Sequence, residues 1–471
     1  MEINHQTQTE SNKFNFRYLL FLALASAMGG FLFGYDWVVI GGAKPFYELY
    51  FDISSMPTLQ GWAMSSALIG CIFGAIISGF VADRFGRKNP LIFAAVLFTL
   101  SAFGTGYVDS FTPFIFYRLL GGLGIGLAST LSPMYIAEIA PAKYRGQFVA
   151  INQLTLVIGI LVAQIANFLI SDPVLDEATM LYSWNGQTGW RWMFWAELIP
   201  AILFFVLMFL VPKSPRFLMK MNNVVAAKKV LAKIGGNSYA EEEIKNIALT
   251  LKESRSVKIK FSYFKSPKVK PILIIGIVLA IFQQWCGINI IFNYAEEIFT
   301  AAGYSVGDML FNIVITGSVN LIFTIIAMRT VDSWGRRKLM LFGSIGLGVV
   351  YAILGAAYYM QYTGWPVLVL VLTAIAIYSM SLAPITWVVL SEIFPNKIRG
   401  VAMSIATFSL WVASFILTFT FPILNDALGA SGTFWVYSII CVLGFLFIKK
   451  KLPETKGKSL EEIEAELTKD K

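Results

Sequence analysis

Twelve blocks of about 20 apolar residues, each nearly free of charge, decide what this chain can fold into. They lie near residues 16–40, 61–82, 90–108, 112–137, 148–170, 190–211, 271–299, 308–330, 339–360, 366–392, 401–424 and 430–449. A helix of about 20 residues crosses about 30 Å of hydrocarbon. Lipid offers no partner to a backbone N–H or C=O, so each spanning segment must satisfy its own. Segments this long do so as helices, whereas barrel strands are about half that length. The chain is therefore expected to be an all-α membrane protein with twelve transmembrane helices. The first run is too long for a signal peptide and lacks a small-residue cleavage site, so it reads as a first span.

The net charge of +9 invites a nucleic-acid reading, and its distribution rejects one. Arg84, Arg87, Lys88, Lys143, Arg145, Arg336, Arg337, Lys338, Lys397 and Arg399 fall in alternate loops. The other loops hold almost no Lys or Arg, with Lys44 as the exception. This positive-inside pattern places both termini and the long middle loop in the cytoplasm. Cys71, Cys286 and Cys441 lie in apolar spans and read as small core residues, not as a disulfide framework. The single histidine, His5, sits in a polar tail, so any proton carried through the spans falls to carboxylates.

The chain repeats itself. Asp83-Arg84-Phe85-Gly86-Arg87-Lys88 follows the second span, and Asp332-Ser333-Trp334-Gly335-Arg336-Arg337-Lys338 follows the eighth. Glu138-Ile139-Ala140-Pro141 with Lys143, Arg145 and Gly146 follows the fourth span. Glu392-Ile393-Phe394-Pro395 with Lys397, Arg399 and Gly400 follows the tenth. Two six-helix halves in parallel repeat, with a site between them near the midplane, are expected. The expected divisions are 1–212 for the first half, 213–270 for a linker with short helices, 271–450 for the second half and 451–471 for a tail. In the linker, Val224 to Ile234 has helical periodicity that Gly235-Gly236 stops, and Tyr239 to Glu253 reads as a second helix. Ser459-Leu460-Glu461-Glu462 is a capping box opening a short acidic helix.

Asp36 and Arg118 carry the first functional signal. Each sits inside an apolar run, where an ionised side chain costs about 2.5–3.5 kcal/mol on the most lenient scales. The pair is either a proton-linked switch or a static brace between spans one and four. Protonation of Asp36 removes the charge that holds Arg118, which ties a proton to a conformation. Glu197, also within a span, either assists the proton path or bonds a neighbour.

Gly34-Tyr35-Asp36, the Asp83–Lys88 loop, Arg118-x-x-Gly121-Gly122-x-Gly124-Ile125-Gly126 and Pro212-Lys213-Ser214-Pro215-Arg216 occur in order along the chain. Gln283-Gln284-x-x-Gly287-x-Asn289 and Pro453-Glu454-Thr455-Lys456-Gly457 complete the series. Nearly end to end, the chain resembles the sugar porter branch of the major facilitator superfamily, and within it most resembles the bacterial D-xylose–proton symporters. The resemblance implies that Asp36 carries the proton, because proton-coupled members have Asp at this point and passive relatives a neutral residue.

An uncharged polyol needs amides that donate and accept, and aromatic faces for its C–H surfaces. Gln153, Gln283, Gln284, Asn289 and Asn320 supply amides, and Trp387 and Trp411 supply rings. The resemblance implies that all seven contact sugar. Alone, each amide would read as interhelical glue and each tryptophan as packing. Leu410 and Ile160 stand where the xylose transporters carry glutamines, and Asn293 replaces the first Tyr of a Tyr-Tyr pair. Each lost amide leaves a sugar group unmatched at a cost of about 1–3 kcal/mol, so pentose and hexose both remain open. Gly287 and Pro384 are expected bend points of spans seven and ten.

Around the loops, Arg87, Arg145, Arg336 and Arg399 face Asp83, Glu138, Asp332 and Glu392. A network of such pairs across a closing interface biases a two-state equilibrium, although single exposed pairs contribute 0–1 kcal/mol. These residues are expected to latch the cytoplasmic side when the transporter faces out; simple topology control by positive charge is the alternative. Lys213 stands where the family loop has Glu, which weakens that latch.

The resulting expectation is a proton-coupled monosaccharide symporter, not an enzyme, in a bacterial inner (plasma) membrane. No metal or cofactor is implied, and the proton gradient supplies the drive. Partners are the sugar, the proton and membrane lipid, with no nucleic acid, and the chain is expected to work as a monomer. A passive sugar facilitator and a membrane sugar sensor are the rivals; short tails argue against the sensor.

Overall fold

A computed structural model describes residues 14–172, 177–256, 266, 269–395 and 398–456. The architecture is the expected all-α one. The first half comprises α1 (Phe16–Tyr50), α2 (Pro57–Phe85), α3 (Lys88–Tyr107), α4 (Phe111–Ile139) and α5 (Arg145–Ile170), with a sixth span split into α6 (Trp190–Trp195) and α7 (Leu198–Leu210). The linker carries α8 (Pro215–Lys220) and α9 (Val224–Ser256). In the second half, the seventh span is broken into α10 (Lys270–Trp285), α11 (Ile288–Asn293) and α12 (Ala295–Ala301). Then follow α13 (Val306–Trp334), α14 (Arg336–Tyr359), a tenth span split into α15 (Trp365–Met380) and α16 (Leu382–Ile393), and α17 (Arg399–Lys451). α17 holds the last two spans, which meet at a non-helical Gly429.

The breaks have local causes. Gly287 has φ +87°, a left-handed conformation that costs any other residue, and it parts α10 from α11. The tenth span gives way at Ser381 (φ −126°, ψ −87°), one turn before the expected Pro384. Pro384 has no N–H to bond the carbonyl four residues back, at Met380, and its ring crowds that carbonyl. The helix therefore yields on the N-terminal side of the proline. Small residues set the helix spacing. A Cβ on Gly70 or Gly74 of α2 would strike the carbonyls of Leu119 and Leu123. One on Gly122 or Gly126 of α4 would strike those of Ala67 and Cys71. With no hydrophobic drive between helices in lipid, such backbone approach supplies the packing.

α9 turns back on itself at Gly236, and Leu231, Ala240 and Ile247 form a small core inside the hairpin. The hairpin docks on the first half: Asn15 N–H donates to Ile234 O at 2.8 Å, and the Phe14 and Tyr239 rings meet edge-on at 5.2 Å. The capping box at Ser459–Glu462 lies outside the described residues.

The halves meet on the side away from the linker. There Trp62 of α2 meets Phe415 of α17 at 6.4 Å, and Phe168 of α5 meets Phe311 of α13 at 5.8 Å. The described ion pairs on the linker side, Arg87–Glu138 and Arg336–Glu392, stay within one half each. The far side is thus shut in this conformation.

Candidate functional site

Asp36 comes from the middle of α1 and Arg118 from α4; they are 1% and 2% exposed. Arg118 Nη1 donates to Asp36 Oδ1, and Nη2 reaches the Asp36 carbonyl at 3.4 Å. The guanidinium also lies 5.8 Å from the centre of the Phe194 ring, a cation–π contact. Asp36 Oδ2 is buried with no protein partner. Space for that oxygen comes from Gly121, where a Cβ would sit 2.9 Å from it. Glu197 stands at the junction of α6 and α7, buried, with Oε1 unpaired and its charge felt by Asp36, Arg118 and Tyr35. Removing one member of a buried pair costs about 3–5 kcal/mol because the other is stranded.

The second cluster is built on the broken spans. Gln283 and Gln284 end α10, and Asn289 opens α11 beyond the Gly287 turn. Asn289 Nδ2 donates to Gln284 Oε1, Gln284 Nε2 donates to Gln283 Oε1, and Gln283 Nε2 donates to the Tyr378 hydroxyl at 2.6 Å. This relay fixes three amides, yet Asn289 Oδ1 and one N–H of each amide stay uncommitted. Beside it, Ser379 Oγ donates to Asn320 Oδ1 at 2.7 Å. Tyr378 and Ser379 did not stand out in the sequence. Their signal is position, directly before the break that Pro384 forces.

Trp411 is buried, its ring 5.8 Å from Phe33 and 6.1 Å from Trp37 of α1, with its indole N–H unpartnered. Trp387 on α16 is 37% exposed, and Gln153 on α5 is half-buried, so both are accessible in this state. Leu410 and Ile160 are buried apolar residues. Asn293 is buried with its side-chain Oδ1 unpaired.

Among the loop charges, Arg87 pairs with Glu138 at 2.7 Å and Arg336 with Glu392 at 3.3 Å. Asp83 takes Lys220 at 2.8 Å in place of an arginine. Arg399 Nε donates to the Phe394 carbonyl at 3.3 Å, and Arg145 acts electrostatically on Tyr239. The Asp332 side chain lies outside the described residues.

Lys44 is a correction. It was expected in a loop after a span ending near residue 40, but α1 continues to Tyr50 and Lys44 is 2% exposed inside it. Its ammonium meets Glu48 at 3.0 Å, Glu296 at 3.1 Å and Glu297 at 2.7 Å. Those partners explain how a charged helix end stays buried. The sequence signal was the lysine's misfit with the charge pattern and its four-residue spacing to Glu48.

Residues 22–467 match the family described as sugar (and other) transporter. The chain is 39% identical to the D-xylose-proton symporter of Escherichia coli (strain K12), over 97% of each chain. It is also 39% identical to the arabinose-proton symporter of Bacillus subtilis (strain 168), over 98% of each. Its fold is similar to the inward open conformation of the xylose transporter XylE from E. coli, with a TM-score of 0.83 at 36% identity, covering 95% of this chain and 99% of that one.

Proposed function

We propose that this chain, which belongs to the sugar transporter family of the major facilitator superfamily, imports a monosaccharide together with protons by alternating access. The observation that carries the reading is the buried Asp36–Arg118 pair with its vacant carboxylate oxygen. Charged Asp36 holds Arg118; protonated Asp36 releases it. A proton taken up while the far side is open loosens α1 from α4 and permits the switch between faces that carries sugar inward. The pair is closed in this conformation.

The sugar is held by Gln283, Gln284, Asn289, Asn320 and Gln153, with Trp387 and Trp411 against its C–H faces. Relatives named for xylose, arabinose and glucose leave pentose and hexose both open. The linker side is the cytoplasmic side of a bacterial inner membrane, in keeping with its basic loops. The protein works as a monomer in lipid, uses no cofactor and draws on the proton gradient. The loop pairs Arg87–Glu138 and Arg336–Glu392, with Asp83, Arg145, Asp332 and Arg399, rearrange to bridge the halves when the cytoplasmic side shuts.

Proton uptake into sugar-free proteoliposomes tests this. D-xylose, then D-glucose, is added outside wild type and Asp36→Asn. Sugar-dependent alkalinisation outside, lost in the variant while sugar exchange survives, is the expected result. Sugar flux without proton movement in either protein would make this a passive facilitator and the ion pair a brace.

A further inference from the structure

The Lys44 cluster lies outside both sites described above, and its ion pairs run from one half to the other. Lys44 and Glu48 belong to α1 in the first half, Glu296 and Glu297 to α12 in the second. The Lys44 side chain is 3% exposed, and those of Glu296 and Glu297 are 18% and 21% exposed. Gln60 of α2 braces the cluster, donating to Glu48 Oε2 at 3.1 Å. The other titratable groups that face it are Tyr47 on α1 and Tyr294 beside α12, with Arg118 beyond Tyr47. Both are neutral phenols engaged elsewhere: the Tyr47 hydroxyl meets Met64 Sδ, and the Tyr294 hydroxyl donates to Thr418 O at 2.7 Å.

One ammonium thus faces three carboxylates in a water-poor pocket, and Glu48 Oε1 and Glu297 Oε2 have no partner. Attraction falls steeply if the ammonium is lost, and what remains is repulsion between acids on opposite halves, strengthened by the low dielectric. Opening the far side carries α12 away from α1. That motion breaks two of the three Lys44 pairs and delivers the carboxylates to water.

We propose that Lys44, Glu48, Glu296 and Glu297 form the far-side latch of the transporter, with Lys44 as the tie between the halves. The proposal rests on the alternating-access reading, but its test reads conformation and not flux, so either can fail alone. Lys44→Met keeps most of the unbranched side chain and removes its charge. The outward-open population should then rise about 5–150-fold at pH 8, the span of ordinary coupling between states. Acidification to pH 5 should reverse much of that rise, because protons neutralise the repelling carboxylates.

The measurement is a distance distribution by double electron–electron resonance on full-length protein in lipid nanodiscs. Labels go at Ser55→Cys and Tyr362→Cys, exposed positions at the far side of each half; the three native cysteines are buried. A longer distance in Lys44→Met at pH 8 that shortens at pH 5, with the short distance restored by the exchange Lys44→Glu with Glu297→Lys, supports the latch. An unchanged distribution at pH 8 overturns it, and so does a lengthening equal at both pH values, which would mark lost packing and not charge. Should Lys44→Met fail to fold, Glu296→Gln with Glu297→Gln leaves Lys44 and Glu48 balanced and removes the tie. The distance should then lengthen at both pH values, and an unchanged distance refutes the proposal.

Discussion

Tyr378→Phe should weaken sugar binding about fivefold without touching the sugar. In the structure the Tyr378 hydroxyl accepts from Gln283 Nε2 at 2.6 Å and so anchors the end of the amide relay from Asn289 through Gln284. One such neutral hydrogen bond has a net worth of about 1 kcal/mol, which is a factor of about 5 in a binding constant. Gln283→Ala removes a group proposed to bond sugar and also strands Gln284, at about 1.5–3 kcal/mol, or roughly 10–150-fold. The two effects should not add. With Gln283 gone, Tyr378 has nothing to hold, so Tyr378→Phe should cost almost nothing in the Gln283→Ala background, and the missing energy is the coupling between the two. Isothermal titration of D-xylose into the purified wild type, both single variants and the double variant measures all four constants. If Tyr378→Phe weakens binding equally in both backgrounds, Tyr378 acts on the sugar by another route and the relay does not position the site.

Two further outcomes follow from the geometry. Gly121→Ala sets a methyl against Ser101 Oγ and 2.9 Å from Asp36 Oδ2, and should push the carboxylate off Arg118; sugar accumulation driven by a pH gradient should fall severalfold while sugar exchange continues, as proteoliposome assays of both fluxes would show. Pro384→Ala restores an N–H to the Met380 carbonyl and should straighten the tenth span; the turnover rate should fall with the equilibrium sugar affinity nearly unchanged, and equal losses in both would refute its role as a bend.

The spans and their repeat were legible because lipid imposes one requirement on every segment: about 20 apolar residues with self-satisfied backbone. Asp36, Arg118 and Glu197 stood out for the same reason, as charges where charge is expensive. Gln283, Gln284 and Asn289 stood out only as a motif. Their hydrogen bonds to one another depend on the Gly287 turn, which brings the start of α11 back to the end of α10. Tyr378 and Ser379 were silent, since a Tyr and a Ser in a span are common and only the third dimension joins them to Gln283 and Asn320. The Pro384 bend was placed one turn late, because a proline disturbs the carbonyl four residues behind it and not its own position. Lys44 was misread because hydropathy alone ended α1 too soon. Two of its three carboxylates, Glu296 and Glu297, reach it by tertiary pairing that no window on the sequence contains.

The ion pair belongs to the first half and the amide relay to the second, so coupling has to cross between them, and α1 is the element that touches both. Asp36 is followed by Trp37, whose ring meets Trp411 at 6.1 Å, and preceded by Phe33, which meets the same ring at 5.8 Å. One turn further, Gly41 lets α1 approach α11 so closely that a Cβ would lie 3.1 Å from the Asn293 carbonyl. Lys44 lies eight residues beyond Asp36, about 12 Å along the helix, and grips α12. A packed interface of this kind has discrete arrangements and does not deform continuously. When the charge on Asp36 changes, α1 cannot shift against α4 without disturbing Trp411, the Asn293 backbone and the Lys44 tie together. On the proposed reading, a proton at Asp36 is felt at the Trp411 wall and at the far-side closure through one helix, and no longer relay of side chains is needed.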